Sequence, residues 1–218
     1  MSGASAVSIV IVDDHAIMRE GLARILEQHA DFQVVGSCGD GRESLALIAA
    51  LQPRVAVLDI SMPHLNGIEV ARQVKERSPQ TAVVILSMHA SAEHVFQALE
   101  AGARGYLQKE SAAREIVEAL RAVAAGRRYL SPRIAQVVAE HDGERGAPLP
   151  SLQALSRRER EILQLVAEGH SSAEIGAMLF LSPKTIDSYR SRLMAKLKLA
   201  DVPSLVRFAI RQGVISLD

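Results

Sequence analysis

The chain has 218 residues, 48% of them apolar and 23% charged, with one cysteine and 25 basic residues balanced by 25 acidic ones. That composition excludes a disordered chain and a disulfide scaffold, and the length has room for two small domains. No apolar run approaches the ~18 residues of a membrane span and no basic, then apolar, leader precedes Ser8, so a cytoplasmic protein in a reducing compartment, with no membrane insertion, is expected.

The zero balance is uneven. Residues 1–125 carry 11 Lys and Arg against 15 Asp and Glu, whereas residues 151–218 carry 10 against 7, an acidic first half and a mildly basic second half of the kind that suits nucleic acid.

Ser8-Ile9-Val10-Ile11-Val12 is a short apolar run that reads as a buried strand and ends in Asp13-Asp14. A helix follows over 16–29, its apolar stripe formed by Ile17, Leu22, Ile25 and Leu26, and then a short strand over 32–36, with Cys38 read as a core residue. An apolar-faced helix over 43–51 leads to the run Val55-Ala56-Val57-Leu58, which ends in Asp59 and continues Ile60-Ser61-Met62-Pro63. A helix over 67–77, a strand over 82–86 ending in Ser87, a helix over 92–101, a strand over 104–107 leading to Lys109 and a helix over 113–125 complete five strand–helix repeats. Strands alternating with helices of this length predict a doubly wound, five-stranded parallel α/β domain over residues 1–125, covered on both faces.

In such a sheet the ligand site lies at the carboxyl ends of the strands. An acid pair, a lone acid, a hydroxyl and an amine recur there. Any one of Asp13, Asp14 and Asp59 alone reads equally as a loop acid or a helix cap. Together they offer oxygen ligands of the type magnesium prefers in a partly open site. Asp59 could then act as nucleophile toward a phosphoryl group, with Lys109 neutralising charge and Ser87 donating a hydrogen bond. A dinucleotide site would want Gly-x-Gly-x-x-Gly directly after the first strand, where this chain has Asp13-Asp14-His15. A phosphatase of the haloacid dehalogenase type would want a second Asp at the position of Ser61.

Asp13-Asp14-His15, Asp59-Ile60-Ser61-Met62-Pro63, Ser87 and Leu107-Gln108-Lys109 resemble, in order and spacing, the receiver domain of bacterial two-component response regulators over about residues 7–125. The resemblance implies that Asp59 accepts a phosphoryl group from a cognate sensor histidine kinase and that Ser87 and Lys109 serve the transfer. It implies Mg2+ held by Asp14, Asp59, the Ser61 backbone carbonyl and Asp13, the last directly or through water. Ser87 and Tyr106 occupy the switch positions, at which an aromatic ring turns inward as the hydroxyl moves toward phosphate. Pro63 and Gly67 are expected to shape the loop through their backbone angles, and His89 reads as an exposed loop residue.

Residues 126–150 read as a join. Gly126 to Pro132 ends one helix and starts another, 133–140 is a short helical linker, and 141–150, rich in Gly, Pro and charge, is a flexible segment. Beyond it the strand signal disappears. Ser156 with Glu159 forms a capping-box pattern before Ile162, Leu163, Leu165 and Val166, Gly169 is a stop, Ser171 or Ser172 caps the next helix over 173–179, and Ser182-Pro183 opens a longer one to about Leu197. With a final helix over 203–212 this predicts an all-α, four-helix domain over 151–218.

The strings Leu155-Ser156-Arg157-Arg158-Glu159, Ala167-Glu168-Gly169, Glu174-Ile175-Gly176 and Leu181-Ser182-Pro183-Lys184-Thr185-Ile186 resemble the LuxR-type helix-turn-helix output domain, and the whole chain resembles a response regulator of the NarL/FixJ class. The resemblance implies double-stranded DNA as ligand, a homodimer when activated and RNA polymerase as a further partner. Arg190, Arg192 and Lys196 are candidate phosphate contacts, with Lys184, Thr185 and Ser188 facing the groove. Asp187 and Tyr189 depart from the motif, where a Lys and a His are usual. The reading is a phosphorylation-dependent transcriptional regulator, not a turnover enzyme, although slow autodephosphorylation is compatible with it. The alternative is a DNA-binding regulator whose receiver works without phosphate.

Overall fold

A computed structural model describes residues 6–88, 90–141 and 152–215. These form two compact units, one on each side of the stretch 142–151. His89 and residues 142–150, all but the first residue of the flexible segment expected over 141–150, lie outside the described residues.

The first unit is a single parallel sheet of β1 (Val7–Val12), β2 (Phe32–Cys38), β3 (Val55–Asp59), β4 (Ala82–Ser87), β5 (Gly105–Gln108) and β6 (Tyr129–Leu130), in the order β2-β1-β3-β4-β5-β6. Helices α1 (Ala16–Glu27), α2 (Gly41–Leu51), α3 (Gly67–Arg77), α4 (Ala92–Ala101), α5 (Ala112–Ala124) and α6 (Pro132–His141) connect and cover it. Side chains alternate along a strand, so each apolar run supplies two cores at once. Ile9, Ile11, Val55, Val57, Val84, Leu86 and Leu107 pack with Leu22 and Leu26 of α1 and Ile116 and Leu120 of α5. Val10, Val12, Ala56, Leu58, Val83, Ile85 and Tyr106 pack with Ile48 of α2, Val70 and Val74 of α3, and Val95 and Ala98 of α4. The chain runs from β1 outward to β2 and returns to β3 on the other side, so the order reverses between β1 and β3, the crevice that open α/β sheets use for ligands.

The sheet has six strands where five were expected. Gly126, at φ 81°, stops α5, and the chain returns along β5, with Tyr129 N–H donating to the Arg104 carbonyl at 2.9 Å and Ser131 N–H to the Tyr106 carbonyl at 3.1 Å. A two-residue strand carries no period to read. The helix expected as a linker is also part of this unit: fully buried Ile134 of α6 shares a core with Tyr106 and α4, and Val138 packs against it.

Asp40, Asn66 and Ser91 cap α2, α3 and α4 through their side chains. Gly67 is needed for space and not for an unusual backbone angle, since it is absent from the positive-φ glycines. A Cβ there would stand 1.9 Å from the Asp59 carbonyl oxygen, so α3 starts directly against the end of β3.

The second unit contains α7 (Arg157–Ala167), α8 (Ser172–Leu179), α9 (Pro183–Leu197) and α10 (Val202–Arg211). Capping boxes at Ser156/Glu159 and Ser171/Glu174 start α7 and α8, and Ser182 with Pro183 starts α9. Ile162, Leu163 and Leu165, Ile175, Ile186, Leu193 and Leu197, and Leu205 and Ala209 close one core from all four helices. Among the described residues no helix is long and apolar enough to cross a membrane.

Gly67→Ala should lower stability by about 3 kcal/mol through the clash at Asp59. Gly21→Ala, in α1 with nothing within 4 Å of the added carbon, should raise it by about 0.5–1 kcal/mol. Denaturant unfolding of the two variants beside the parent checks both signs.

Candidate acidic site and candidate nucleic-acid interface

At the β1/β3 crevice the two strand ends bring Asp13 and Asp59 together, both almost fully buried at 1% and 2% exposure. Lys109, which opens a 3-10 turn directly after β5, places its Nζ 2.7 Å from Asp59 Oδ2 and 2.8 Å from Asp13 Oδ2. Burial alone would lower the ammonium's pKa. The attraction of Asp59 and Asp13 outweighs it and holds Lys109 above its ordinary value. Asp59 is pushed up to about 6, first by burial and next by the neighbouring Asp13 carboxylate, with Lys109 pulling the other way.

Asp14 is exposed at the mouth. His15 donates its backbone N–H to Asp13 Oδ1 at 2.9 Å and sets its ring Nδ1 2.8 Å from Asp14 Oδ1. The Asp14 carboxylate foremost raises the imidazole pKa, and burial and Lys109 oppose it. Oxygens of Asp13, Asp14 and Asp59 and a ring nitrogen of His15 all lie within 4.8 Å of one another. Among the described residues the three carboxylates gather beside one buried ammonium, that of Lys109, which pairs directly with Asp13 and Asp59. Hard oxygen donors, excess negative charge and one exposed member suit a magnesium-sized cation. His15 was not expected in this group, and its only signal in the sequence was adjacency to the acid pair. Ser61 is half-buried two residues beyond Asp59. The Ile60 carbonyl beside it accepts from both Met62 and Gly67, and no backbone N–H among the described residues bonds the Ser61 carbonyl.

Ser87 ends β4, and Tyr106 on β5 is fully buried with its phenol hydrogen-bonded to Ser87. Burial pushes that phenol up to about 12, against the effect of the Ser87 hydrogen bond. The ring therefore already points into the core shared by α3, α4 and α6.

In the second unit α9 buries Ile186, Leu193 and Leu197, the residues expected to hold the helix on its core. Lys184, Asp187, Ser188 and Arg192 are exposed, while Thr185, Tyr189 and Arg190 are half-buried. Thr185 Oγ1 lies 2.8 Å from Ser182 Oγ, and Ser188 Oγ donates to the Lys184 carbonyl at 3.0 Å. The Arg192 guanidinium sits 4.4 Å over the Tyr189 ring, so the ring packs under a cation where the motif usually has histidine. Arg190 Nη1 donates to Ser172 Oγ at 3.0 Å, and Ser172 Oγ donates to Asp187 Oδ1 at 2.6 Å. Lys196, grouped from sequence with the phosphate contacts, keeps its side chain 44% exposed while its Nζ pairs with buried Glu159 at 2.7 Å. Burial would raise that carboxyl, and Lys196 and Ser156 together hold it below its ordinary range. Glu159 thus caps α7 and ties it to α9.

Family comparison places a response regulator receiver domain over residues 9–121 and the luxR family of bacterial regulatory proteins over residues 153–209. The chain is 34% identical to the transcriptional regulatory protein DegU of Brevibacillus brevis, over 97% of this chain and 96% of that one. It is 38% identical to the probable transcriptional regulatory protein NarL of Mycobacterium tuberculosis, over 96% of each. Among solved structures, the two-component response regulator RcsB–DNA complex matches with a TM-score of 0.61 and 26% identity, over 97% of this chain and 100% of that one.

The raised Asp59 pKa means that its ionised form destabilises the fold. The cost is full above the folded value near 6 and vanishes below the unfolded value of 3.8. In magnesium-free buffer at pH 7, Asp59→Asn should therefore be more stable than the parent by about 2–3 kcal/mol. Thermal melts from pH 7 to pH 4 should show the difference shrinking toward zero.

Proposed function

This chain belongs to the two-component response regulators that join a receiver domain to a LuxR-type DNA-binding domain, and we propose that Asp59 is its phosphoacceptor and the Asp13–Asp59–Lys109 cluster the machinery of transfer. The observation that carries this reading is the single ammonium of Lys109 held between two buried carboxylates at the β1/β3 crevice. A carboxylate oxygen of Asp59 attacks the phosphorus of a phosphohistidine on the cognate sensor kinase. The N–P bond breaks, the imidazole leaves, and an acyl phosphate remains on Asp59. Lys109 is already within contact of the nucleophile and follows the charge as it moves onto the phosphoryl oxygens. Asp13, Asp14, Asp59 and the Ser61 carbonyl would hold Mg2+, which supplies charge neutralisation on those same oxygens. Asp13 and Asp14 would orient it, and Lys109 would complete the charge balance on the phosphoryl oxygens. The protein accepts one phosphoryl group per chain and loses it slowly to water.

Ser87 is the link outward. A hydroxyl both donates and accepts, so Ser87 can give its proton to a phosphoryl oxygen while its own oxygen accepts from the Tyr106 phenol. Phosphorylation fixes Ser87 as an acceptor toward Tyr106 and stabilises the inward ring already present. The states of the receiver shift in population, and the activated chain pairs as a homodimer on two related half-sites of duplex DNA. The similarity to the RcsB–DNA complex supports α9 as the element that enters the major groove, through Lys184, Thr185 and Ser188, with Arg190 and Arg192 toward phosphate. RNA polymerase is the partner that such a complex meets at a promoter.

Incubation with magnesium and acetyl phosphate should add roughly 80 Da to the intact mass, in a base-labile form absent from Asp59→Asn. The same treatment should increase solution size and raise DNA affinity by about tenfold. Removal of magnesium should abolish the addition. DNA binding with no addition under any donor and metal condition would replace this reading with phosphate-independent control.

A further inference from the structure

We infer that Asp187 is a base-reading residue selecting cytosine in each half-site, and that Ser172 positions it for this. The inference rests on the assignment of α9 to the major groove. Asp187 is exposed on α9, one turn after Lys184, on the flank between the buried ridge of Ile186, Leu193 and Leu197 and the open face that carries Lys184 and Ser188. A carboxylate there is repelled by the phosphates on either side of the groove, a cost that accepting from a base offsets. Its geometry is fixed from α8: Ser172 Oγ donates to Asp187 Oδ1 at 2.6 Å and in turn accepts from Arg190 Nη1 at 3.0 Å. One hydroxyl thus holds an acid and a guanidinium of the same helix, and the cation moderates the repulsion that the acid meets. The network occupies Oδ1 and leaves Oδ2 with no hydrogen bond among the described residues.

A carboxylate oxygen can only accept. The major groove offers amino donors on cytosine N4 and adenine N6, but adenine sets the acceptor N7 beside its amino group, whereas cytosine does not. Oδ2 therefore favours cytosine. Guanine and thymine present acceptor oxygens and are disfavoured.

The test is selection of binding sites from a randomised duplex pool by the full-length, phosphorylated protein and by its Asp187→Ala, Asp187→Asn and Ser172→Ala variants, with a thermal melt of each. The parent should select a cytosine at one position per half-site with about tenfold discrimination. Asp187→Ala should lose the preference at that position alone. Asp187→Asn keeps an oxygen for Ser172 and gains a donor, so it should move the preference toward adenine. Ser172→Ala should weaken the cytosine preference without moving it. An unchanged selected sequence in Asp187→Ala would overturn the inference and reduce Asp187 to a strut between α8 and α9, leaving the DNA-binding reading intact. Failure of the parent to select any sequence would overturn both.

Discussion

Everything in the receiver turns on one ammonium, Lys109, held between two buried carboxylates, with a third, Asp14, exposed beside them. Two of the acids are buried and would each be costly alone. They persist because β1 and β3 are buried on both faces, so neither strand can shift to carry its terminal acid into water without breaking two cores. The fold therefore holds a charge arrangement that is under-neutralised by design. The Asp59 pKa is raised first by burial and next by the Asp13 carboxylate beside it, so the crowding of like charge adds to the cost of desolvation. A cation is the complementary charge that such a site lacks.

The way out of the site is short and runs through side chain, backbone and core in turn. Ser87 meets Tyr106 by hydrogen bond, and the Tyr106 carbonyl receives Ser131 N–H at 3.1 Å, immediately before α6 begins. Ile134 of α6 then shares the core in which the Tyr106 ring is buried. A movement of that ring has to be accommodated by α4 and α6 together, because a packed interior transmits displacement instead of absorbing it.

The strand–helix alternation of residues 7–125, the capping boxes and the acids at strand ends were legible in the sequence because each rests on a local pattern of period, cap or terminus. What was not legible depends on contacts distant in the chain. Tyr129–Leu130 is too short to show a period, and its identity as a strand comes entirely from β5. Gly67 looked like a residue chosen for its backbone angle, but the constraint is the carbonyl of Asp59, eight positions earlier. Lys196 stood in the sequence among the exposed cations of α9, and only the approach of Glu159 from α7 reveals its second attachment. Asp187 was visible as a departure from the motif, without the Ser172 hydroxyl that gives the departure a geometry.

The burial of Ile134 bears on how such proteins are recombined. The strand–helix repeats read from the sequence end with α5, at residue 125, while the segment rich in Gly, Pro and charge begins only at 141. In this chain α6 completes the receiver's hydrophobic interior, so the transferable piece is the sheet together with β6 and α6. A chimera cut after α5 would inherit an open apolar face and a β5 edge stripped of its partner, whereas one cut after His141 would carry a finished surface to any new output domain.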